Sequence, residues 1–395
     1  MQRTLHPVGQ GGFYTERLLV QNDDGLEKSS LRNVVYDCGS NTNTRLLKNE
    51  ISRTFKKNEE ITALFISHFD QDHINGLEHF SHNPIRFLIL PLLSESQKLL
   101  AFLSTDIEKI EKNEIEARFN IKVKNIIFVR PVSEYQRIAQ NQTNESPINL
   151  SLFSSDSERI IKSGTELQVD SLVKWIYMPF NMASDREYDI FLDELKKKDE
   201  ELANKLIDFV TNPYKTKTIK EILDESEIAT LKNIYFNISQ QKKNETSVVV
   251  YSGPSVMKNN RKKYGLVFQG ANEPYKTNSV GALYTGDIDL NQNVDFEGQN
   301  YRAYDFICKQ LSDLKKYLGI VQIPHHGSRH NFNSAITSVF PNVDNYFYSY
   351  GIKNRYRHPF NGIRLWLQCE NKKVIEVTDN PLSEFSQTIR INDFN

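Results

Sequence analysis

Cysteine is scarce in this chain of 395 residues, which carries only Cys38, Cys308 and Cys369. An odd count without close spacing argues against a disulfide framework or a zinc finger. It predicts buried free thiols and leans towards a reducing compartment. An excess of one charge is also lacking: 49 basic against 50 acidic residues leave a formal net charge of -1. Overall charge therefore selects neither nucleic acid nor membrane as a partner, although a local basic rim can act without it. No apolar run approaches the ~20 residues of a membrane span. The opening Met1-Gln2-Arg3-Thr4-Leu5-His6-Pro7 has no apolar core of a signal peptide. The expectation is a soluble cytoplasmic protein with no membrane contact. No repeat at a solenoid period occurs.

What is present suffices for a sizeable core, since 38% of the residues are hydrophobic. The length suits one large α/β domain with an insertion, or two domains. Arg17 to Gln21 and Asn33 to Asp37 read as a hairpin around the polar turn 22–25. The run Val34 to Ser40 ends in a glycine turn, and a helix over Thr44 to Phe55 should follow. Further apolar strands are expected at Ile61–Ile66, Ile85–Leu90, Ile126–Val129 and Leu167–Met178, with a charged helix over about 96–118. This alternation predicts a sheet with helices on its outer faces. Residues 182–243 differ, with helical apolar spacing and dense charge at Phe191 to Leu202 and a second helix over about 216–235. They read as a helical insertion, either a cap over a site or a docking arm. Strands return at Ser247–Ser252, Gly265–Gln269, Val280–Tyr284, Ile320–Ile323, Tyr346–Tyr350 and Val374–Val377, with helices at about 302–318 and 361–370.

Four motifs carry chemistry, three of them directly behind an apolar strand. The first is Ser67-His68-Phe69-Asp70-Gln71-Asp72-His73-Ile74-Asn75-Gly76-Leu77. Two imidazoles and two carboxylates in one tight loop repel and crowd unless a cation compensates them. Mixed N and O donors suit Zn²⁺, Mn²⁺ or Fe. If the loop starts extended, positions 68, 70 and 72 point one way while 72 and 73 diverge, so one loop can feed two metals. The second motif, Thr285-Gly286-Asp287-Ile288-Asp289, sets a carboxylate beside a glycine at a strand tip, with Asp289 the structural member of the pair. In the third, Pro324-His325-His326-Gly327-Ser328, adjacent histidines cannot both face one way on a strand. One is expected to bind metal and the other to bind substrate or support the site. In the fourth, Asn354-Arg355-Tyr356-Arg357-His358-Pro359, His358 is a candidate late ligand and the arginines can receive an anionic group, the alternative being a basic surface loop.

In this order the motifs resemble those of metallo-β-lactamase-fold hydrolases. They are most similar to the branch found in the C-terminal hydrolase domain of bacterial competence channel proteins, and similar also to a choline-phosphate esterase branch. Gly9-Gln10-Gly11, Tyr36-Asp37-Cys38-Gly39 and Asn244-Glu245-Thr246-Ser247-Val248 resemble that family's other strand and turn signatures. The resemblance implies an α/β fold, an αββα four-layer sandwich over residues 1–395, interrupted by the charged helices of 182–243. It implies two divalent metal ions, Zn²⁺ or Mn²⁺. One would be held by His68, Asp70 and a histidine of the 325–326 pair, the other by Asp72, His73 and His358, with Asp287 bridging. Asp70 stands where the commonest motif has histidine, a harder oxygen ligand that leaves the metal's identity open and makes Mn²⁺ an option beside Zn²⁺. The family's lone histidine before the bridging aspartate has no counterpart, so one of His325 and His326 would replace it. Arg357 stands where that branch carries glycine.

The scheme implied is attack by a hydroxide between the metals. Asp72 would orient it or take its proton. The spare histidine, His326 if His325 is the ligand, or else His330, would protonate the leaving oxygen. Ser328, Arg329, Lys353, Arg355 and Arg357 are candidate substrate contacts. A phosphodiesterase, foremost a nuclease acting on DNA or RNA, is the leading function; a partner-controlled effector in a multi-protein defence system is one setting for it. A hydrolase of a small phosphodiester or ester, such as a cyclic nucleotide or lactone, is the second reading. A binding or scaffold subunit docking through the helical segment is the third. An open basic groove fits a nuclease, and a closed pocket lined by 182–243 fits a small substrate.

Overall fold

The computed structural model describes residues 1–20, 30–133, 147–153, 157–171, 174–212, 218–239, 247–255, 263–268 and 275–392. The expected turn at 22–25 and the residues Asn244, Glu245 and Thr246 lie outside them. The chain is mixed α/β, built on two large sheets. In spatial order the first runs Tyr275–Thr277, Lys263–Phe268, Phe385–Asn392, Gln2–Leu5, Phe13–Val20, Ser30–Cys38, Ala63–Phe65, Ile85–Pro91, Val123–Val129 and Glu158–Ile161. The second runs Lys373–Val377, Asn345–Ser349, Leu318–Gln322, Gly281–Tyr284, Val248–Pro254, Trp175–Asn181, Leu167–Gln168 and Ile148–Asn149.

The sheets face each other because alternate residues of each strand are large and apolar. Tyr36, Phe65 and Ile89 of the first sheet join Tyr177, Val250, Tyr284 and Phe347 of the second in one buried cluster. Phe65 and Tyr177 meet across it with ring centroids 5.7 Å apart. The opposite faces also bury apolar side chains. Leu47 and Ile51 of helix Thr44–Thr54 cover the first sheet. Phe306 and Ile307 of helix Ala303–Leu311, with Ile363 and Leu367 of helix Asn361–Cys369, cover the second.

The expected hairpin is there: Phe13–Val20 pairs antiparallel with Ser30–Cys38, Arg17 opposite Asn33. Three expected elements are divided. The helix over 96–118 becomes Glu95–Thr105 and Lys112–Phe119, because Asp106 turns left-handed (φ 65°) at the first helix's end. The strand over Leu167–Met178 becomes Leu167–Gln168 and Trp175–Asn181, antiparallel neighbours. The helix over 302–318 tightens after Leu311 into a 3₁₀ turn, Ser312–Tyr317, at Ser312 with φ 36°. The thiols also depart from expectation: Cys38 is buried, Cys308 half-buried and Cys369 exposed at a helix end.

The charged segment is helical as expected, with Arg186–Lys198, Glu200–Thr211, Ile219–Ile222 and Glu225–Ser239. Its apolar stripes (Phe191, Leu195, Leu202, Leu206, Leu231, Ile234) meet Leu99, Phe102 and Leu103 of helix Glu95–Thr105 in a core of their own. No described helix is long and apolar enough to cross a membrane.

Candidate metal centre

Parallel strands end together at one edge of the two sheets, and the motifs sit in the loops that leave them. Asp37 lies near the end of Ser30–Cys38, and His68 follows Ala63–Phe65. Asp287 follows Gly281–Tyr284, and the 325–326 pair follows Leu318–Gln322. A backbone bond from Val248 N to Ser67 O (2.8 Å) stitches the sheets at this edge. Two glycines let the loops close. A Cβ on Gly39 would lie 2.3 Å from the Asp72 carbonyl carbon, so only glycine admits the turn Gln71–Ile74 so near. Gly286 has φ 56°, and a Cβ there would lie 2.8 Å from the Ser67 Cβ.

The loop after His68 does not stay extended. Asp70 is the last extended residue (ψ 148°), and Asp72 and His73 stand on the helical turn Gln71–Ile74. Both face the centre. The expectation that His325 and His326 point apart is also corrected. Both have positive φ, 48° and 54°, in a turn rather than a strand. That conformation swings both rings inward.

Each of four imidazoles is held by its Nδ1. His73 Nδ1 donates to Asp37 Oδ2 at 2.8 Å. His68 Nδ1 donates to Ser67 Oγ at 2.9 Å, whose hydroxyl donates to the same Asp37 oxygen at 2.8 Å. His326 Nδ1 donates to the Ser349 carbonyl at 2.8 Å. His325 Nδ1 lies 3.1 Å from Asn331 Oδ1, and the Asn331 amide donates to the Asp287 carbonyl, which fixes its orientation. These partners commit the tautomers, so every Nε2 turns to the centre.

There the Nε2 atoms meet carboxylates. His73 Nε2 is 3.3 Å from Asp287 Oδ1, and His326 Nε2 is 3.3 Å from Asp72 Oδ2. His68 Nε2 lies 3.8 Å from Asp70 Oδ2 and 3.9 Å from Asp287 Oδ2. His325 Nε2 lies 3.8 Å from Asp287 Oδ2. Two groups have ligand atoms within 4.8 Å of one another: His68, His73 and Asp287, and Asp72, His73 and His326. His326, not His358, is thus the third member beside Asp72 and His73. His358 stands behind His325, ring centroids 5.4 Å apart.

The electrostatics fit a cation. Burial is the largest influence on His68, Asp72, His73, Asp287, His326 and His358 and opposes charge. It still loses at His73, which Asp287 and Asp37 raise well above the usual histidine value, and at His326, which Asp287 and Asp72 raise. Asp287 is held well below the carboxylate range by His73, His325 and His326 despite its burial. Burial, then His325 and His326, push His358 down to about 3, leaving it a neutral imidazole. The carboxylates therefore demand positive charge at this spot. His73 Nε2 and His326 Nε2 are buried, and each faces a carboxylate oxygen 3.3 Å away without forming a well-aligned hydrogen bond. Such atoms are costly unless something coordinates them, and this donor set suits a divalent cation.

The centre opens on a cleft of about 730 Å³. Asp70 and Asp72 line it, with Lys353 and Arg355 on one side and Lys232, Tyr235 and Phe236 of helix Glu225–Ser239 on the other. Tyr235 also reaches towards Asp70: burial first, then Glu187 and Asp70, raise its phenol well above the ordinary value. Of the other expected substrate contacts, Ser328 is buried and its hydroxyl accepts from His330 N at 3.3 Å. Arg329 stacks over Phe360 at 5.1 Å, and Arg357 is exposed with φ 59°. These three and the exposed His330 do not line the cleft. Tyr235 and Asn331 were not among the expected site residues, and Asp37 was expected only as part of the Asp-x-Gly turn that resembles the family's early strand, without a role of its own. Asp37 carries the same signal as Asp287, a carboxylate at the tip of an apolar strand.

No curated protein matches the chain. A family model, the metallo-beta-lactamase superfamily, matches residues 28–84, which hold Asp37 and the His68–His73 loop. Members of that superfamily are generally metal-dependent hydrolases that bind divalent metals. The match supports a metallo-β-lactamase-type fold for this chain and, with it, a metal-dependent hydrolase.

Proposed function

We propose that the chain is a dinuclear-metal phosphodiesterase, foremost a nuclease, of the branch that resembles the competence channel hydrolases. In this reading the two sheets and their outer helices are an αββα sandwich interrupted by residues 182–243. The observation that carries it is the convergence of His68, Asp70, Asp72, His73, Asp287, His325 and His326 below a cleft rimmed by Lys353 and Arg355. Two divalent cations, Zn²⁺ or Mn²⁺, supply Lewis acidity towards a phosphoryl oxygen and lower the pKa of water to about 7. Asp72, His73 and His326 would hold one and His68, Asp70 and His325 the other, with Asp287 between them and His358 behind His325. Asp72 orients the attacking water and takes its proton. Lys353 and Arg355 receive the phosphate, and the leaving oxygen takes its proton from water, because the exposed His330 does not line the cleft. A controlling partner would dock on the charged outer faces of helices Arg186–Lys198 and Glu200–Thr211. Antiviral defence in the cytoplasm is a setting for such a nuclease.

A second reading rests on one specific feature. Helix Glu225–Ser239 lines the cleft, and its 730 Å³ falls in the ~300–1,000 Å³ of small-molecule sites. A cyclic nucleotide or small ester would fit. The test compares the wild type with Asp72→Ala/His73→Ala: bound metals are quantified, and plasmid, single-stranded DNA, RNA and bis(p-nitrophenyl) phosphate are offered with Mn²⁺ or Zn²⁺. Cleavage of nucleic acid by the wild type alone, with about two metals bound, is expected. Metal with cleavage of the small ester only would move the function to the second reading. A metal-free wild type would sink both.

A further inference from the structure

We infer that the cleft binds an unpaired nucleotide and so selects single-stranded over duplex nucleic acid; this rests on the nuclease reading above. The argument starts from helical phase. In helix Glu225–Ser239 the residues Leu231, Ile234, Tyr235 and Ile238 form the inward stripe of the segment's own core. Phe236 lies off that stripe. The residue is 48% exposed, and it stands in the cleft beside Lys232, one turn earlier. Packing of the helix does not require an aromatic there.

The facing loop answers it. The Arg355 guanidinium lies 5.5 Å from the Phe236 ring centroid and 5.3 Å from that of Tyr356, and its Nη2 donates to the Tyr356 hydroxyl at 3.2 Å. An exposed ring and a planar guanidinium at its face are the surfaces on which unstacked bases lie. Lys353, exposed on the same loop, is placed for the adjoining phosphate. Lys232 is already paired with Asp106 and contributes less. Gln10 lines the same cleft.

The cleft of about 730 Å³ has the size of a small-molecule site and suits one unpaired nucleotide. A paired base could reach Phe236 only by leaving its stack.

The decisive experiment measures binding by fluorescence anisotropy in the Asp72→Ala background, which cannot turn over. The probes are a short labelled oligothymidine and the same strand paired with oligodeoxyadenosine. The single strand should bind at least about tenfold more tightly than the duplex, and Phe236→Ala should weaken it by about tenfold. Phe236→Tyr should restore it, with Tm and metal content unchanged in both. Equal affinity for the duplex, or undiminished binding by Phe236→Ala, overturns the inference whatever the activity. Single-strand binding that depends on Phe236 in a wild type that cleaves no phosphodiester would leave the inference standing and remove the nuclease reading.

Discussion

The floor and the wall of the cleft are built on opposite plans. On the floor every imaginable freedom is removed. Each imidazole is fixed by a named partner, His73 and Asp37 are almost wholly buried, and two sheets are stitched at Ser67 and Val248. Apart from the buried Tyr235, the wall is carried by exposed or half-buried side chains on a helix with its own small core and on a loop of turns. Among the described residues, Arg355 is held by two ring faces and one hydroxyl. Chemistry that coordinates ions needs donors fixed in place before the ion arrives. Recognition of a flexible chain tolerates a surface that adjusts.

This contrast can be broken most severely at the floor. Asp287→Ala should abolish both metal binding and hydrolysis, since Asp287 lies within 4 Å of four imidazoles; metal analysis after dialysis checks it. Asp37→Ala touches no ligand atom facing the centre, yet it frees the His73 ring and the Ser67 hydroxyl. A loss of about 10–100-fold in metal affinity is expected, partly restored in Asp37→Asn. Undiminished affinity would show that burial alone orients His73. At the wall, Leu231→Ala deletes a fully buried side chain and should cost about 2–5 kcal/mol in the helical segment. Its mark would be early proteolysis near the helices with metal content intact. Simultaneous loss of metal would mean that floor and wall fold as one. The smallest effects belong to the rim: Arg355→Ala should raise KM several-fold, and Arg329→Ala, which lies outside the cleft, should leave it unchanged.

Floor and wall also differ in how far the sequence betrays them. Two imidazoles and two carboxylates packed around Gln71 have no inexpensive explanation without a cation, so the first motif is legible from composition alone. Asp287 is legible from its place behind an apolar strand and a glycine. The inward turn of both His325 and His326 is not, because only the fold sets successive left-handed residues there. The division of the expected helix at Asp106 escapes for the same reason: aspartate adopts that conformation only where context demands it. On the wall, Phe236 looks like one more apolar residue of an amphipathic helix until the helix's inward stripe is known. The sequence places Lys353, Arg355, Arg329 and Arg357 on one footing; the tertiary structure separates the first two, beside the cleft, from the others.

The stitch between Ser67 and Val248 has a consequence for how the protein is kept folded. Donors from the first and the second sheet must both be in register before a cation can be held, so the unfolded chain offers no competing site of that kind. Metal uptake is then coupled to the whole folding equilibrium, and each tenfold rise of free cation above its Kd adds about 1.4 kcal/mol to the native state. Cellular metal supply would in this way set how long the chain survives as well as how fast it works.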